Sequence, residues 1–258
     1  MNPHFVHSDQ RQAALPRVRA VDAASPWQWL RLGWQDMAAD PVPSLAYGAF
    51  FALAGALILG YASRMPDLFA AAVSGFVLIG PVAAAGLYEI SRRRDRDLPC
   101  SLRESMQGLY GHRRALTGFG LLLAAVLLLW MQLSSLLFGA FYSVESPDLL
   151  TALADILISG LYTHFAVAFM VIGGALAGLV FVLSAVAIPM LLDREVDLLT
   201  AMLTSARAVG HNLGAMALWA AIIVVAVAIG FASLMFGMVI LLPLLGHASW
   251  HAYRDLVV

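Results

Sequence analysis

Charge is scarce in this chain. Only 12% of its 258 residues are charged, against about 25% in an ordinary soluble domain. Lysine is absent, so all fifteen basic residues are arginine. The net charge is −1, which leaves no basic excess for phosphates and argues against a nucleic-acid partner. One cysteine, Cys100, excludes an intramolecular disulfide and a Cys-based metal cluster. There is no phosphate loop, no Gly-x-Ser-x-Gly and no His-Glu-x-x-His, so no familiar catalytic motif points to an enzyme. What remains is apolar: 61% hydrophobic residues and a mean hydropathy of +0.83. That composition suits a lipid bilayer.

A helix needs about 20 apolar residues to cross the hydrocarbon core. Six stretches qualify, at about 42–62, 68–88, 116–141, 165–192, 212–230 and 232–253. The last two come from one uncharged run, too long for one helix, with a turn expected near Gly230–Ser233. The fold class expected is therefore all-α: a polytopic membrane protein whose six transmembrane helices form three hairpins. Residues 1–24 read as a disordered cytoplasmic tail and 25–258 as the transmembrane domain. No apolar core of about 7–15 residues follows the early charges, so the tail is not read as a secretory signal. Cytoplasmic loops carry the excess of basic residues. Placing both termini inside puts fourteen of the fifteen arginines on one side, with only Arg64 outside.

Amphipathic segments precede the odd-numbered spans: Trp27–Met37, Leu102–Arg113 and Leu198–His211. They read as cytoplasmic interfacial helices. Ser25-Pro26 is a plausible opening for the first, with serine as the cap. Each even-numbered span carries a proline towards its inner part, at Pro81, Pro189 and Pro243, and charge follows each. Kinks are expected there, because proline frees a carbonyl one turn back that needs another partner in lipid. The run Ala187–Met202 shows the unit clearly: apolar residues, proline, a charge cluster, then an amphipathic helix. The chain thus reads as three copies of an interfacial helix plus a hairpin. Between the third and fourth spans, Ser146–Leu157 suggests a short acidic amphipathic helix, with a break at Gly160.

His247 and His251 are spaced to share a helical face. They are the candidate metal ligands, for zinc, copper or a haem edge, with His112 and His211 to complete a set if the fold brings them close. The bland reading makes them interfacial hydrogen-bonding groups beside Trp250 and Tyr253. Glu89 lies three and four residues before Arg92 and Arg93, which favours a helical ion pair over a proton relay. Gly174 and Gly178 form a small-residue face for close helix packing.

Four segments carry a resemblance: Trp27 with Leu32-Gly33-Trp34-Gln35-Asp36, Gly86-Leu87-Tyr88-Glu89, Pro189–Asp193, and Leu244–Arg254. Over about Arg19–Val258 the chain resembles an uncharacterised bacterial family of integral membrane proteins, filed under a domain of unknown function. Some members are labelled cytochrome c oxidase subunit I-like. An oxidase core of that kind has more helices and several haem and copper histidines within the membrane, whereas here His164 is the only other histidine near a span. The resemblance implies the bacterial inner membrane and no established activity.

The expected role is a non-enzymatic accessory or assembly component of a membrane complex. It has the bilayer and a membrane protein as partners, and no catalytic residue or cofactor is assigned. The alternative is a transporter or channel for a small or lipid-like solute. A transporter predicts a polar cavity between hairpins, an accessory protein a dry bundle with an apolar flank, and an enzyme the four histidines converging with a carboxylate.

Overall fold

The computed structural model describes residues 15–62, 72–73, 75–76, 78, 80–141, 160 and 162–258. Among these residues every regular element is a helix. In chain order they are α1 (Ser25–Ala39), α2 (Pro41–Ala62), α3 (Gly80–Ala83), α4 (Ala85–Arg94), α5 (Leu102–Gly111) and α6 (Arg113–Phe141). Then follow α7 (Thr163–Ser184), α8 (Ala187–Asp193), α9 (Leu198–His211), α10 (Leu213–Ala232) and α11 (Met238–Leu256). Four stretches are long and apolar enough to cross a membrane: Pro41–Tyr61, Arg113–Phe141, Thr163–Asp193 and Leu213–Ala232. Of the other two expected spans, 68–88 lies partly outside the described residues. The remaining one corresponds to α11, whose second half carries His247, His251, Arg254 and Asp255. The amphipathic helix expected at Ser146–Leu157 lies outside the described residues. Gly160 has φ +74°, a left-handed conformation that favours glycine.

One local pattern occurs three times: an amphipathic helix, one polar residue, then a long apolar helix. The junctions are Asp40, His112 and Asn212, with φ/ψ of −123°/63°, −102°/14° and −126°/42°. Asp and Asn side chains compete with helical backbone bonds, which suits Asp40 and Asn212 to such breaks. The starts of α5 and α9 are capped. Ser101 Oγ accepts from Glu104 N at 3.3 Å, and Asp197 accepts from Thr200 N at 2.9 Å. At α1 the expected serine cap is not made. Ala24 takes the N-cap position without a side-chain bond, and Asp22 Oδ1 accepts from Ala24 N at 2.7 Å.

The prolines behave differently from one another. After Pro81 the helix breaks at Ala84. At Pro189 the break lies at Ala185–Val186. Pro243 sits inside the continuous α11. The second break is closed by a neighbour: Ser205 of α9 donates from Oγ to Val182 O at 2.7 Å and accepts from Val186 N at 3.3 Å. In α11, Pro243 has no amide to offer Val239 O one turn back. That carbonyl packs on Gly48, where a Cβ would lie 2.1 Å away. Between α10 and α11 the chain turns through Leu234 and Met235, at φ 51° and 71°. Met235 N donates to Gly230 O at 2.8 Å, and Ser233 Oγ donates to the same carbonyl at 2.9 Å.

At one end, α4, α8 and α11 meet. Each is covered by the amphipathic helix that follows it in cyclic order: α5 on α4, α9 on α8, and α1 on α11. The last contact closes the ring between the two ends of the described chain. Residues 17–21, read from sequence as the end of a disordered tail, reinforce it. Val18 bridges Val257, Arg19 N donates to Leu256 O at 2.9 Å, and the Asn212 side chain holds Val21 N and Arg19 O at 2.8 and 3.0 Å. Their backbone groups thus have fixed partners.

The tightly packed core lies at this end. Leu87, Ile90, Ile188, Met190, Leu192, Trp250 and Tyr253 are all fully buried. Burying such a side chain from water contributes about 1.5–3 kcal/mol. α1 divides its indoles. Trp29 faces this core, while Trp27 and Trp34 point outward, 59% and 54% exposed. The tryptophans of the segment Trp27–Met37 therefore lie on two faces.

Candidate functional site

Within this core lies a connected set of polar side chains. Three helices supply its middle: Asp36 from α1, Ser91 from α4, and His247 with His251 from α11. Asp36 is 5% exposed and His247 is 0% exposed. Gly33 permits the approach of α1 to α11, since a Cβ there would lie 2.6 Å from Ala248 N. One turn further along α1, Asp36 then reaches His251.

Asp36 Oδ2 accepts from Ser91 Oγ at 2.5 Å and from His251 Nε2 at 2.9 Å. Its Oδ1 lies 3.2 Å from Arg94 Nε. Burial alone would raise this carboxyl's pKa. Hydrogen bonds from His251 and Ser91, with the charge of the nearby imidazoles, outweigh that and hold it below the usual carboxylate value. Arg94 NH1 also donates to Asp40 Oδ2 at 3.1 Å, fixing the α1–α2 junction to α4.

Both ring nitrogens of His247 are taken. Nδ1 is 2.8 Å from Ser91 Oγ, and Nε2 is 2.9 Å from Ser44 Oγ. Ser44 Oγ also lies 2.7 Å from Asp40 O. Ser91 gives its one proton to Asp36, so Nδ1 must donate to Ser91. Nε2 then either accepts from Ser44 in the neutral ring or donates to it in the imidazolium, with Ser44 donating to Asp40 O. Either way the hydrogen bonds run in one direction, from His247 through Ser91 to Asp36.

Around this centre the arginines turn inward. Arg92 clamps the buried Glu89 through Nε and NH2 at 2.7 and 3.0 Å, the helical pair that the spacing suggested. Gly108 of α5 leaves room for that carboxylate; a Cβ there would be 2.2 Å from Glu89 Oε1. Arg96 donates to Asp193 Oδ1 at 2.8 Å, and Tyr253 Oη donates to Oδ2 at 2.8 Å. Trp250 Nε1 donates to Asp95 at 2.8 Å, and Trp29 Nε1 to Asp255 at 3.0 Å. Asp95, Asp193 and Asp255 are thus held across helices, whereas Glu89 is held within α4.

The four histidines do not converge as one ligand set. His112 Nδ1 lies 3.0 Å from Gly108 O of its own helix, and His211 ends α9. Among the described residues no group of three or more His, Cys, Asp or Glu is arranged to hold a metal ion. His247 and His251 instead make the hydrogen bonds above. Gly174 and Gly178 face open space within 4 Å, so the close packing expected of them is not made within the described chain. Their neighbour Gly173 does pack, against Trp130.

Residues 68–193 match a family described as predicted integral membrane protein, DUF2189. The match covers just under half of the chain. No curated protein and no solved structure matches the chain. The matched segment contains Glu89, Ser91, Arg94 and Asp193. Asp36, Ser44, His247 and His251 lie on either side of it. The polar cluster therefore ties the matched segment to both of its flanks. Neither Ser44 nor Ser91 stood out in the sequence. Each is one serine among many, and its partner lies 203 or 156 residues away.

Proposed function

We propose that this integral membrane protein is a non-enzymatic accessory or assembly component of a membrane complex. We place it in the bacterial inner membrane as six spans in three hairpins, with the polar end and both termini in the cytoplasm. One observation carries the role: the polar cluster is saturated by its own members. Ser134 Oγ is the sole buried side-chain nitrogen or oxygen without a partner among the described residues. A catalytic or transport site would hold polar groups ready for a substrate. Here Asp36 and His247 spend theirs on joining helices, and Glu89 spends its own on Arg92 of the same helix. The helix break before Pro189 has its free backbone groups engaged, Val182 O and Val186 N by Ser205. Such a cluster serves as a lock that fixes one arrangement of helices for a partner to recognise.

The test is purification from native membranes in mild detergent, with mass spectrometry of companions. A stoichiometric membrane protein that co-purifies supports the reading. A homogeneous particle without a companion, active in solute flux after reconstitution, overturns it. Labelling of cysteines placed at Arg31 and Arg64, from one side of the membrane at a time, tests the orientation. They should react from opposite sides.

A further inference from the structure

An apolar groove runs along the outside of α5 and the start of α6. Its floor includes Val82, Met106, Leu116, Gly120 and Leu121, and Tyr110 and Arg113 stand at its edge. It encloses about 540 Å³. A second hollow adjoins it over Leu102, Met106 and Tyr110, flanked by Arg103. Leu102, Met106 and Tyr110 recur every four residues, so they share one face of α5. All three are exposed, Tyr110 to 67%.

The charges beside this groove differ from those of the rest of the polar end. Arg92, Arg94 and Arg96 are spent on carboxylates of the core. Arg103, Arg113 and Arg114 are exposed, and none forms an ion pair among the described residues. Arg113 is already oriented. Its guanidinium sits 4.4 Å from the Tyr110 ring centroid, and NH1 donates to Tyr110 O at 3.2 Å. Glu104, the sole acid on α5, does not line either hollow.

Arg113 is also the first residue of a membrane-crossing helix. Cations thus stand where a span enters the headgroup layer, and an apolar trough continues from them towards the acyl layer. We infer that this groove binds an anionic phospholipid. Its phosphate meets Arg103 and Arg113, which line the two hollows, with Arg114 next to Arg113 in sequence adding to the local positive charge, and an acyl chain lies along Val82, Leu116, Gly120 and Leu121. Charge and depth together favour a lipid over a protein helix, because the cations and the apolar floor follow the two layers of one leaflet.

The test is native mass spectrometry of the full chain in mild detergent, titrated with phosphatidylglycerol or with phosphatidylcholine of the same acyl chains. Each basic residue near an anionic surface contributes about fivefold to binding. Wild type should therefore prefer phosphatidylglycerol by about tenfold or more. The triple variant Arg103→Gln, Arg113→Gln, Arg114→Gln should lose that preference. Arg31→Gln with Arg207→Gln, exposed arginines on α1 and α9, should keep it. Gly120→Trp covers the case of a misfolded triple variant. A Cβ at 120 meets nothing within 4 Å, so the indole can fill the trough with every arginine in place, and tight binding should fall. Equal retention of the two lipids by wild type overturns the site. So does undiminished preference in the triple variant, undiminished tight binding in Gly120→Trp, or an equal loss in the control.

Discussion

Replacing Asp36 with alanine removes the acceptor at the centre of the cluster. Two donors, the buried Ser91 Oγ and the partly buried His251 Nε2, then lose their partner. A buried donor left unpaired costs about 1–3 kcal/mol. Arg94 adds little, because its side chain is 42% exposed and can turn to water. The expected loss is about 4 kcal/mol. In a chain of this size about 1 kcal/mol moves Tm by about 2–4 °C, so the midpoint should fall by about 8 °C or more. Tryptophan fluorescence in detergent can follow it, since Trp29 and Trp250 are buried beside the cluster. Asp36→Asn keeps an acceptor but loses the charge, and should cost about half as much. Acid provides a second readout. Asp36 has a folded pKa below its unfolded value. Its charge therefore contributes fully above the unfolded pKa, about 3.9, and that contribution is lost as pH falls through the folded value. The gap between wild type and Asp36→Asn should hold steady above about pH 5 and close below about pH 4. A fall of less than about 2 °C in Asp36→Ala, or a gap unchanged in acid, would refute the reasoning.

Gly48→Ala forces a Cβ to 2.1 Å from Val239 O. It should lose about 3 kcal/mol or more, or fail to yield monodisperse protein, while Gly178→Ala, facing open space, should stay within about 0.5 kcal/mol. Ser205→Ala leaves Val182 O and Val186 N without their side-chain partner and should cost about 1–3 kcal/mol in the same melt. Burial, then the charge of Asp40, raises the Cys100 thiol above its ordinary pKa against the opposing pull of Arg93 and Arg94. Maleimide labelling of Cys100 near neutral pH should thus be slower than that of free cysteine and should accelerate as pH rises; equal rates would contradict that environment.

The recurring unit was legible because local chemistry writes it. Amphipathic periodicity marks α1, α5 and α9, and apolar runs mark the long helices. Prolines mark two places where the chain departs from one helix. The Glu89–Arg92 pair was legible for the same reason, since its members stand one helical turn apart. The cluster around His247 was not. Its contacts join residues 55, 156, 203 and 215 positions apart, and no periodicity reports such pairings. The charge-rich ends of α4, α8 and α11 looked like solvent-facing termini. They turn inward because the covering helices α5, α9 and α1 supply the opposite surface. Gly174 and Gly178 have no described neighbour within 4 Å, because small residues permit close packing but do not say which helix approaches.

The three joins of the ring differ in kind, and the difference bears on how the chain selects one arrangement. Where α9 covers α8, the contact rests on fully buried Ala201 and Ala208 and on Ser205. Where α5 covers α4, it rests on Ser105 and on the space that Gly108 leaves for Glu89. These partners are near neighbours in sequence and meet with little loop entropy to overcome. α1 and α11 are more than two hundred residues apart, so proximity along the chain does nothing to select their pairing. A purely apolar seam would accept either of the other end helices almost as well. Asp36 does not, because its acceptors match Ser91, Arg94 and His251 together, and only the closed ring brings all three to one carboxylate. Buried ions add little net stability but penalise mismatched partners heavily. The polar cluster therefore sits at the join where discrimination is needed, which explains its saturation without recourse to a substrate.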